Sequence, residues 1–188
     1  MYDWLLHGGT VIDGSGDPRF EADVAIEGDR IVRLARGENI EAQQAIDCTG
    51  MIVAPGFVDV HNHDEGWLLK TTNLAPKTSQ GITSEVLMSD GISYAPLTPE
   101  LAPDWFVYLR SLNGLRLCDY EGWQSLDDYM SLLDRRTAQN TITQIPYANL
   151  RVLAAGWGSG PLNDMQRMAV RRYVQQGMEA GAVGISTG

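Results

Sequence analysis

The feature that most constrains the fold of this chain is a short apolar run that follows Pro55 and Gly56 and ends in two histidines, His61 and His63. Residues at positions i and i+2 of an extended strand project to the same side, so the run predicts two imidazoles directed at one point. Neutral imidazole is a common ligand of zinc and similar divalent metals. The alternative is a histidine pair that only ends a strand and forms local hydrogen bonds.

The composition favours small-molecule chemistry over binding to nucleic acid or membranes. Of 188 residues, 44% are hydrophobic and 20% are charged, which is typical of a globular protein. The formal net charge of -10 argues against a basic face for nucleic acid or anionic lipid. No basic, apolar leader follows Met1 and no apolar run approaches the ~20 residues of a membrane span, so we expect a cytoplasmic location. Cys48 and Cys118 are interpreted as reduced thiols.

Residues 1–55 predict a small antiparallel β unit. Strand-like runs alternate with glycine and aspartate, at residues 4–7, 10–12, 22–26, 30–34 and 50–53. Gly28 and Asp29 lie between two alternating runs, which predicts a tight hairpin. Residues 13–18 contain two glycines but lack the lysine of a phosphate-binding loop, so they are interpreted as a turn. His7 is interpreted as structural, because no second residue of a ligand type accompanies it.

Residues 56–188 predict a β/α arrangement. The candidate strands are residues 56–61, 83–89, 141–146 and 182–187. A helix precedes the last of them, because Asn163 and Gln166 have the spacing of a capping box and Gly181 can end the helix. Met165 and Met168 share one face of this helix, so we expect both methionines to pack in the core.

Residues 96–140 are too long for a simple crossover between two strands and are predicted to form an insertion of helices and loops. The aromatic residues Trp105, Trp123 and Tyr129 lie within this segment. Its charged pairs, Asp127 with Asp128 and Arg135 with Arg136, are predicted to occupy solvated helix faces.

Carboxylates follow both of the first two candidate strands of the β/α part. In β/α folds the active site gathers at the carboxyl ends of parallel strands. Alternation along the second strand predicts that Asp90 lies on the same side as Val86 and Met88, as a third metal ligand. Asp90 beginning a turn with Gly91 is the alternative. Asp64 and Glu65 could support the ligands, face a substrate, or be solvated loop carboxylates.

Several segments of the chain resemble a known family in order and spacing. They are residues 55–63, 80–84, 89–93, 145–151 and 181–188. The first resembles the opening strand signature of the amidohydrolase superfamily, and together they resemble its N-acyl-D-amino-acid deacylase (D-aminoacylase) branch over essentially the whole chain. The resemblance implies a small β-sandwich joined to a metal-bearing (β/α)8 barrel. It also implies that His61 and His63 hold a divalent metal, usually zinc, as one or two ions, for amide hydrolysis by a metal-activated water.

The chain departs from the family pattern at the site. The best-known deacylases have a cysteine ligand where this chain has Asp90, a harder donor that could bridge or complete the metal site. The branch often has a histidine where this chain has Tyr147, which could contact substrate or simply pack; Asp64 is a second candidate for substrate contact. Residues 182–188 contain no lysine, which disfavours the carbamylated-lysine metal pair of hydantoinase and dihydroorotase relatives.

The resemblance covers only the first half of the barrel, with residues 1–55 as the β-sandwich portion. Beyond His7 no further histidine is present to complete a metal site, so the other ligands and the general acid/base are expected on a missing half. An open half barrel exposes a strand edge and an apolar face, so we expect a second polypeptide to carry that half. The expected function is hydrolysis of an N-acyl amino acid or related small amide. A cyclic amide or imide as the substrate, or a non-catalytic subunit, are the alternatives.

Overall fold

A computed structural model describes all 188 residues of the chain, which divide into two compact units. Met1–Pro55 form the first unit and Gly56–Gly188 the second. The first unit consists of strands and turns, whereas strands and helices alternate in the second.

The first unit contains one five-stranded mixed sheet with the order β3-β2-β1-β4, in which β5 also pairs with β1. The strands are β1 (Tyr2–Val11), β2 (Phe20–Glu27), β3 (Arg30–Ala35), β4 (Ala42–Asp47) and β5 (Ile52–Val53). The β1–β2 and β2–β3 pairs are antiparallel, but β4 and β5 run parallel to β1. The expectation of a purely antiparallel unit was therefore wrong. The sequence does not predict β4, because all but its first residue are exposed and the strand lacks an alternation of apolar and polar residues.

The predicted hairpin of the first unit is confirmed. Glu27 pairs with Arg30 across the two-residue turn between β2 and β3, and Gly28 adopts a φ of 59° there. The expectation that no residue of a ligand type accompanies His7 was wrong, because its Nδ1 lies 3.0 Å from Oδ1 of Asp23. The same carboxylate oxygen accepts the backbone N–H of Gly8 at 2.8 Å, which ties β1 to β2.

The second unit contains short parallel strands that pair in chain order. They are β6 (Phe57–Asp59), β7 (Ile82–Leu87), β8 (Asn140–Thr143), β9 (Ile145–Pro146) and β10 (Ile185–Ser186). β6, β7 and β8 form one sheet, while β9 pairs with β10. β8 and β9 are separated only by Gln144, so one continuous run of the chain contributes a strand to each of the two sheets.

Six α-helices accompany these strands. They are α1 (Glu65–Lys70), α2 (Ala75–Thr78), α3 (Ala102–Leu109), α4 (Leu126–Leu133), α5 (Tyr147–Ala155) and α6 (Asp164–Glu179), with short 3-10 turns at Ser89–Gly91 and Leu117–Asp119. The segment at 96–140 is helical and looped, as expected, and it provides much of the core of this unit. Trp105 of α3 and Tyr129 of α4 are fully buried. Their large apolar area makes this segment a main source of the unit's stability.

The predicted cap of α6 is confirmed, but the predicted packing of its methionines was wrong. The Asn163 side chain accepts the N–H of Gln166 at 2.9 Å, and the Gln166 side chain accepts the N–H of Asn163 at 2.9 Å. Met165 and Met168 are 81% and 68% exposed. The helix packs instead through the side chains of Val170, Tyr173 and Val174. An apolar spacing shows that side chains share a face, but it does not show which face meets the core.

The charged pairs of the insertion differ from each other in the structure. Asp127 and Asp128 lie in the exposed first turn of α4, as predicted, and Asp128 completes a capping box with Ser125. Arg135 and Arg136 lie beyond the end of the helix, and Arg135 adopts a φ of 54°, so the prediction of a helix face was wrong for them. None of the helices is both long enough and apolar enough to cross a bilayer.

Candidate metal centre

Three potential metal ligands converge at the carboxyl end of the strands in the second unit. The Nε2 atoms of His61 and His63 each lie 3.2 Å from Oδ2 of Asp90. One donor atom from each residue lies within 4.8 Å of the others. The two imidazole rings stand edge to face, with centroids 5.8 Å apart. Two nitrogen donors and one carboxylate oxygen therefore surround one point.

The two histidines do not lie in the strand position that the sequence predicts. β6 ends at Asp59, so His61 and His63 lie in the loop beyond the strand and not within it. We call residues 59–64 the histidine segment. Asn62 lies between the two ligands, is buried, and donates from Nδ2 to the carbonyl of Val86 at 3.3 Å. Its Oδ1 accepts the N–H of Asp64 at 3.2 Å, so the amide of Asn62 ties the segment to β7.

Asp90 also lies beyond its strand. β7 ends at Leu87, and the Asp90 turn, which we define as residues 88–91, has left-handed backbone at Met88 (φ 66°), Asp90 (φ 55°) and Gly91 (φ 71°). The predicted strand alternation was therefore wrong: Met88 is fully buried while Asp90 is half exposed. Asp90 stands in a turn, as the alternative interpretation predicts, and its side chain also meets the two histidines. Its role as a metal ligand stays a prediction.

Glu65 is the buried support of the Asp90 turn, and the sequence did not distinguish it from a solvated loop carboxylate. Its side chain is inaccessible to solvent. Oε1 accepts the N–H of Met88 at 2.7 Å, and Oε2 accepts from Nδ2 of Asn113 at 2.9 Å. Burial raises the pKa of Glu65 to about 7.

Lys77 of α2 lies at the centre of a cluster of three carboxylates beneath the histidine segment. Its Nζ pairs with Asp59, lies 2.6 Å from Oδ2 of Asp64, and is 3.8 Å from Oε2 of the fully buried Glu85. Burial, the largest single contribution, raises the pKa of Asp59, but the hydrogen bonds from Lys77 and from the N–H of His61, together with the positive charge of Lys77, outweigh it and the pKa is lowered. Burial raises the pKa of Glu85.

The two residues expected to contact substrate lie in different settings. Tyr147 is the first residue of α5, directly after β9, and is partly buried. Asp64 is directed at Lys77 and does not join the three ligands. The structure therefore gives Asp64 a place in the ion cluster, whereas a substrate contact by Tyr147 stays a prediction.

The donor set fits a divalent metal of the zinc type. Imidazole nitrogen and carboxylate oxygen are both usual zinc ligands, and three donors leave a position for another ligand or water. The Nδ1 atom of His63 is buried without a hydrogen-bond partner, while its Nε2 faces Asp90. Nε2 is therefore the nitrogen of His63 that faces the other candidate ligands.

Comparison with known proteins reveals relatives along the whole chain, although no protein-family model matches it. It is 35% identical over 186 residues to an N-acyl-D-aspartate deacylase, and 36% identical over 188 residues to a D-aminoacylase, both from Alcaligenes xylosoxydans xylosoxydans. A solved D-aminoacylase with a binuclear metal centre superposes with a TM-score of 0.86 at 33% identity. The N-acyl-D-glutamate deacylase from Bordetella bronchiseptica, solved with zinc and a phosphonate inhibitor, gives a TM-score of 0.85 at 33% identity.

These matches confirm the family resemblance that the sequence motifs indicated. They also define its extent. The two sequence matches cover 99% and 100% of this chain but only 36% and 38% of the relatives, and the two structural matches cover 39% and 38% of the solved chains. The chain thus spans less than two fifths of the length of the relatives that it matches.

Proposed function

Because this chain corresponds to the N-terminal portion of the D-aminoacylase-like branch of the amidohydrolases, we propose that it carries part of the metal site of an enzyme that hydrolyses the amide bond of an N-acyl amino acid or related small amide. The observation that carries the proposal is the convergence of His61, His63 and Asp90 on one point. The half-exposed side chains of His61 and Asp90 leave this point open to a small substrate.

Each ligand has a distinct part in holding the metal. His61 and His63 would hold the metal through Nε2, and the carboxylate of Asp90 would complete or bridge the site. A bound divalent metal would polarise the amide carbonyl and activate a water. Zinc is the proposed metal, as one or two ions, in line with the donor set and with the zinc and binuclear centre of the solved relatives.

The remaining ligands and the general acid/base are proposed to come from residues outside this sequence that complete the barrel, with a second polypeptide as their source. One observation supports such a completion. Phe57, Val58 and Val60, in and just beyond β6, are 63%, 52% and 68% exposed, an apolar surface that a further barrel segment would cover. Mass analysis of the protein isolated from its natural source tests whether a second polypeptide supplies these residues. Two chains in one complex would support the proposal, and one longer chain would contradict it.

Metal content and amide hydrolysis, measured on the complete enzyme, test the function. We expect His61→Ala and His63→Ala to lose most of the bound metal and the activity towards N-acyl-D-amino acids, because each removes a nitrogen donor. His7→Ala is the matched control, since His7 is the third histidine of the chain and contacts Asp23 in the first unit. Unchanged metal content and activity in both ligand variants would instead indicate a non-catalytic subunit. Assays with cyclic amides distinguish the alternative substrate class.

A further inference from the structure

The turn that presents Asp90 has a backbone that its sequence does not favour. Met88 and Asp90 adopt positive φ values, of 66° and 55°, although neither is a glycine. A long side chain such as that of methionine is rarely found in this region, because its Cβ crowds the backbone. Surrounding contacts must therefore hold the turn in this conformation.

Glu65 provides one of these contacts through the N–H of Met88, at 2.7 Å from its Oε1. Glu65 is itself held from two directions. Asn113 donates to its other carboxylate oxygen at 2.9 Å, and the hydroxyl of Tyr129 donates to its backbone carbonyl at 2.7 Å. Both donors belong to the insertion at 96–140, so this segment supports the Asp90 turn through Glu65.

Ser186, at the end of β10, provides the second contact. Its hydroxyl donates to the carbonyl of Met88 and accepts the N–H of Gly91 at 3.2 Å. Backbone packing leaves little room for any other arrangement: a Cβ built on Gly188 would lie 2.6 Å from the carbonyl oxygen of Asp90. One buried hydroxyl therefore joins both ends of the turn to a strand almost a hundred residues away in sequence.

We propose that Glu65 and Ser186 are positioning residues of the metal site, which hold the Asp90 turn so that the carboxylate meets His61 and His63. This inference rests on the proposed metal-binding function. Neither residue belongs to the ligand cluster, and both act through the backbone on either side of Asp90. Supporting residues of this kind commonly change metal affinity by about 10–100-fold when they are mutated.

Titration of the metal-free complete enzyme with Co²⁺ tests the proposal, because the visible absorption bands of bound Co²⁺ report ligand geometry. We expect Glu65→Ala and Ser186→Ala to bind Co²⁺ about 10-fold or more weakly and with altered bands. Glu65→Gln should restore wild-type affinity and bands, since its amide oxygen can still accept the N–H of Met88. The Oδ1 of Asn113 has no hydrogen-bond partner, so this amide can turn and accept from the new NH₂ group.

Ser93→Ala is the matched control for Ser186→Ala. Ser93 is a fully buried serine of the same unit whose hydroxyl lacks a hydrogen-bond partner, so its loss should leave Co²⁺ binding unchanged. If Glu65→Ala fails to fold, Ser186→Ala and Glu65→Gln still test the two positioning roles. Wild-type affinity and bands in Ser186→Ala would overturn the role of Ser186, and weakened binding in Glu65→Gln would overturn the role assigned to Glu65.

The histidine variants separate this inference from the proposed function. Loss of Co²⁺ binding in His61→Ala and His63→Ala, together with normal binding in Glu65→Ala and Ser186→Ala, would contradict only the positioning roles. Normal binding in the histidine variants would contradict the metal site itself.

Discussion

The histidine segment and the Asp90 turn bring ligands to the same point but are held by different forces. The histidine segment lies over an ion cluster, in which Lys77 pairs with Asp59 and Asp64, and Asp59 accepts the N–H of His61 at 3.2 Å. The Asp90 turn is held through its backbone: Glu65 accepts the N–H of Met88, and Ser186 donates to the carbonyl of Met88. We therefore expect that a mutation can disturb one part of the donor set without the other.

The difference has a physical basis in charge. The Lys77 cluster contains one cation and three carboxylates, and its members Lys77 and Glu85 are 16% and 0% exposed at the side chain. Partly buried charges interact strongly and are costly to leave unpaired. Hydrogen bonds to backbone groups are weaker singly, but they fix a particular set of backbone angles. The ion cluster should therefore govern stability, and the contacts of the turn should govern ligand geometry.

The largest expected effect is that of Lys77→Met. Removing the only cation leaves Asp59, Asp64 and Glu85 without a counter-charge, so we expect a loss of about 3–5 kcal/mol in the free energy of unfolding, measured by urea denaturation of the complete protein. Lys70→Met is the matched control, because Lys70 is more exposed than Lys77, at 29% against 16%, and pairs with one carboxylate, that of Asp119, at 3.0 Å. It should cost about 1 kcal/mol or less. Equal losses of stability in the two variants would show that the ion cluster stabilises the protein no more than a single ion pair does.

A smaller effect is expected for Asn62→Ala, which removes one hydrogen bond from the histidine segment to β7 and one within the segment. Losing a buried amide that serves both Val86 and Asp64 should cost about 1–3 kcal/mol of stability in urea denaturation. Asn140→Ala is the control, since Asn140 also donates to a β7 carbonyl, that of Thr83 at 3.2 Å, but is exposed. A cost for Asn62→Ala no larger than that of the control would show that the ion cluster alone holds the segment.

The smallest effect in free energy is a change of metal preference in Asp90→Cys. A thiolate is a softer donor than a carboxylate, so we expect the ratio of Cd²⁺ to Mn²⁺ affinity to rise about tenfold, or ~1.4 kcal/mol, in competition titrations. Asp90→Asn tests the charge alone, and asparagine also tolerates the left-handed backbone of this position. An unchanged ratio in Asp90→Cys would indicate that Asp90 does not bind the metal.

Local patterns predicted local structure well. The turn at Gly28 and Asp29 and the cap at Asn163 were predictable because each depends on residues only a few positions apart. The methionines of α6 were not, because the direction of a helix face depends on what packs against it. Strand ends failed for the same kind of reason. The extended pattern of β7 continues to Asp90 in sequence, but contacts from Glu65 and Ser186 bend the chain at Met88.

The sequence by itself determined which donors are available: two histidines one residue apart, a carboxylate after the next strand, and the motifs that identify their family. Only the tertiary structure decided how the donors meet. Ser186 lies 98 residues from Met88, and Lys77 lies 18 from Asp59, separations at which sequence spacing carries no information about contact. Such contacts form when the packed strands and helices bring distant residues together. For that reason the supports of the site became visible only in the fold.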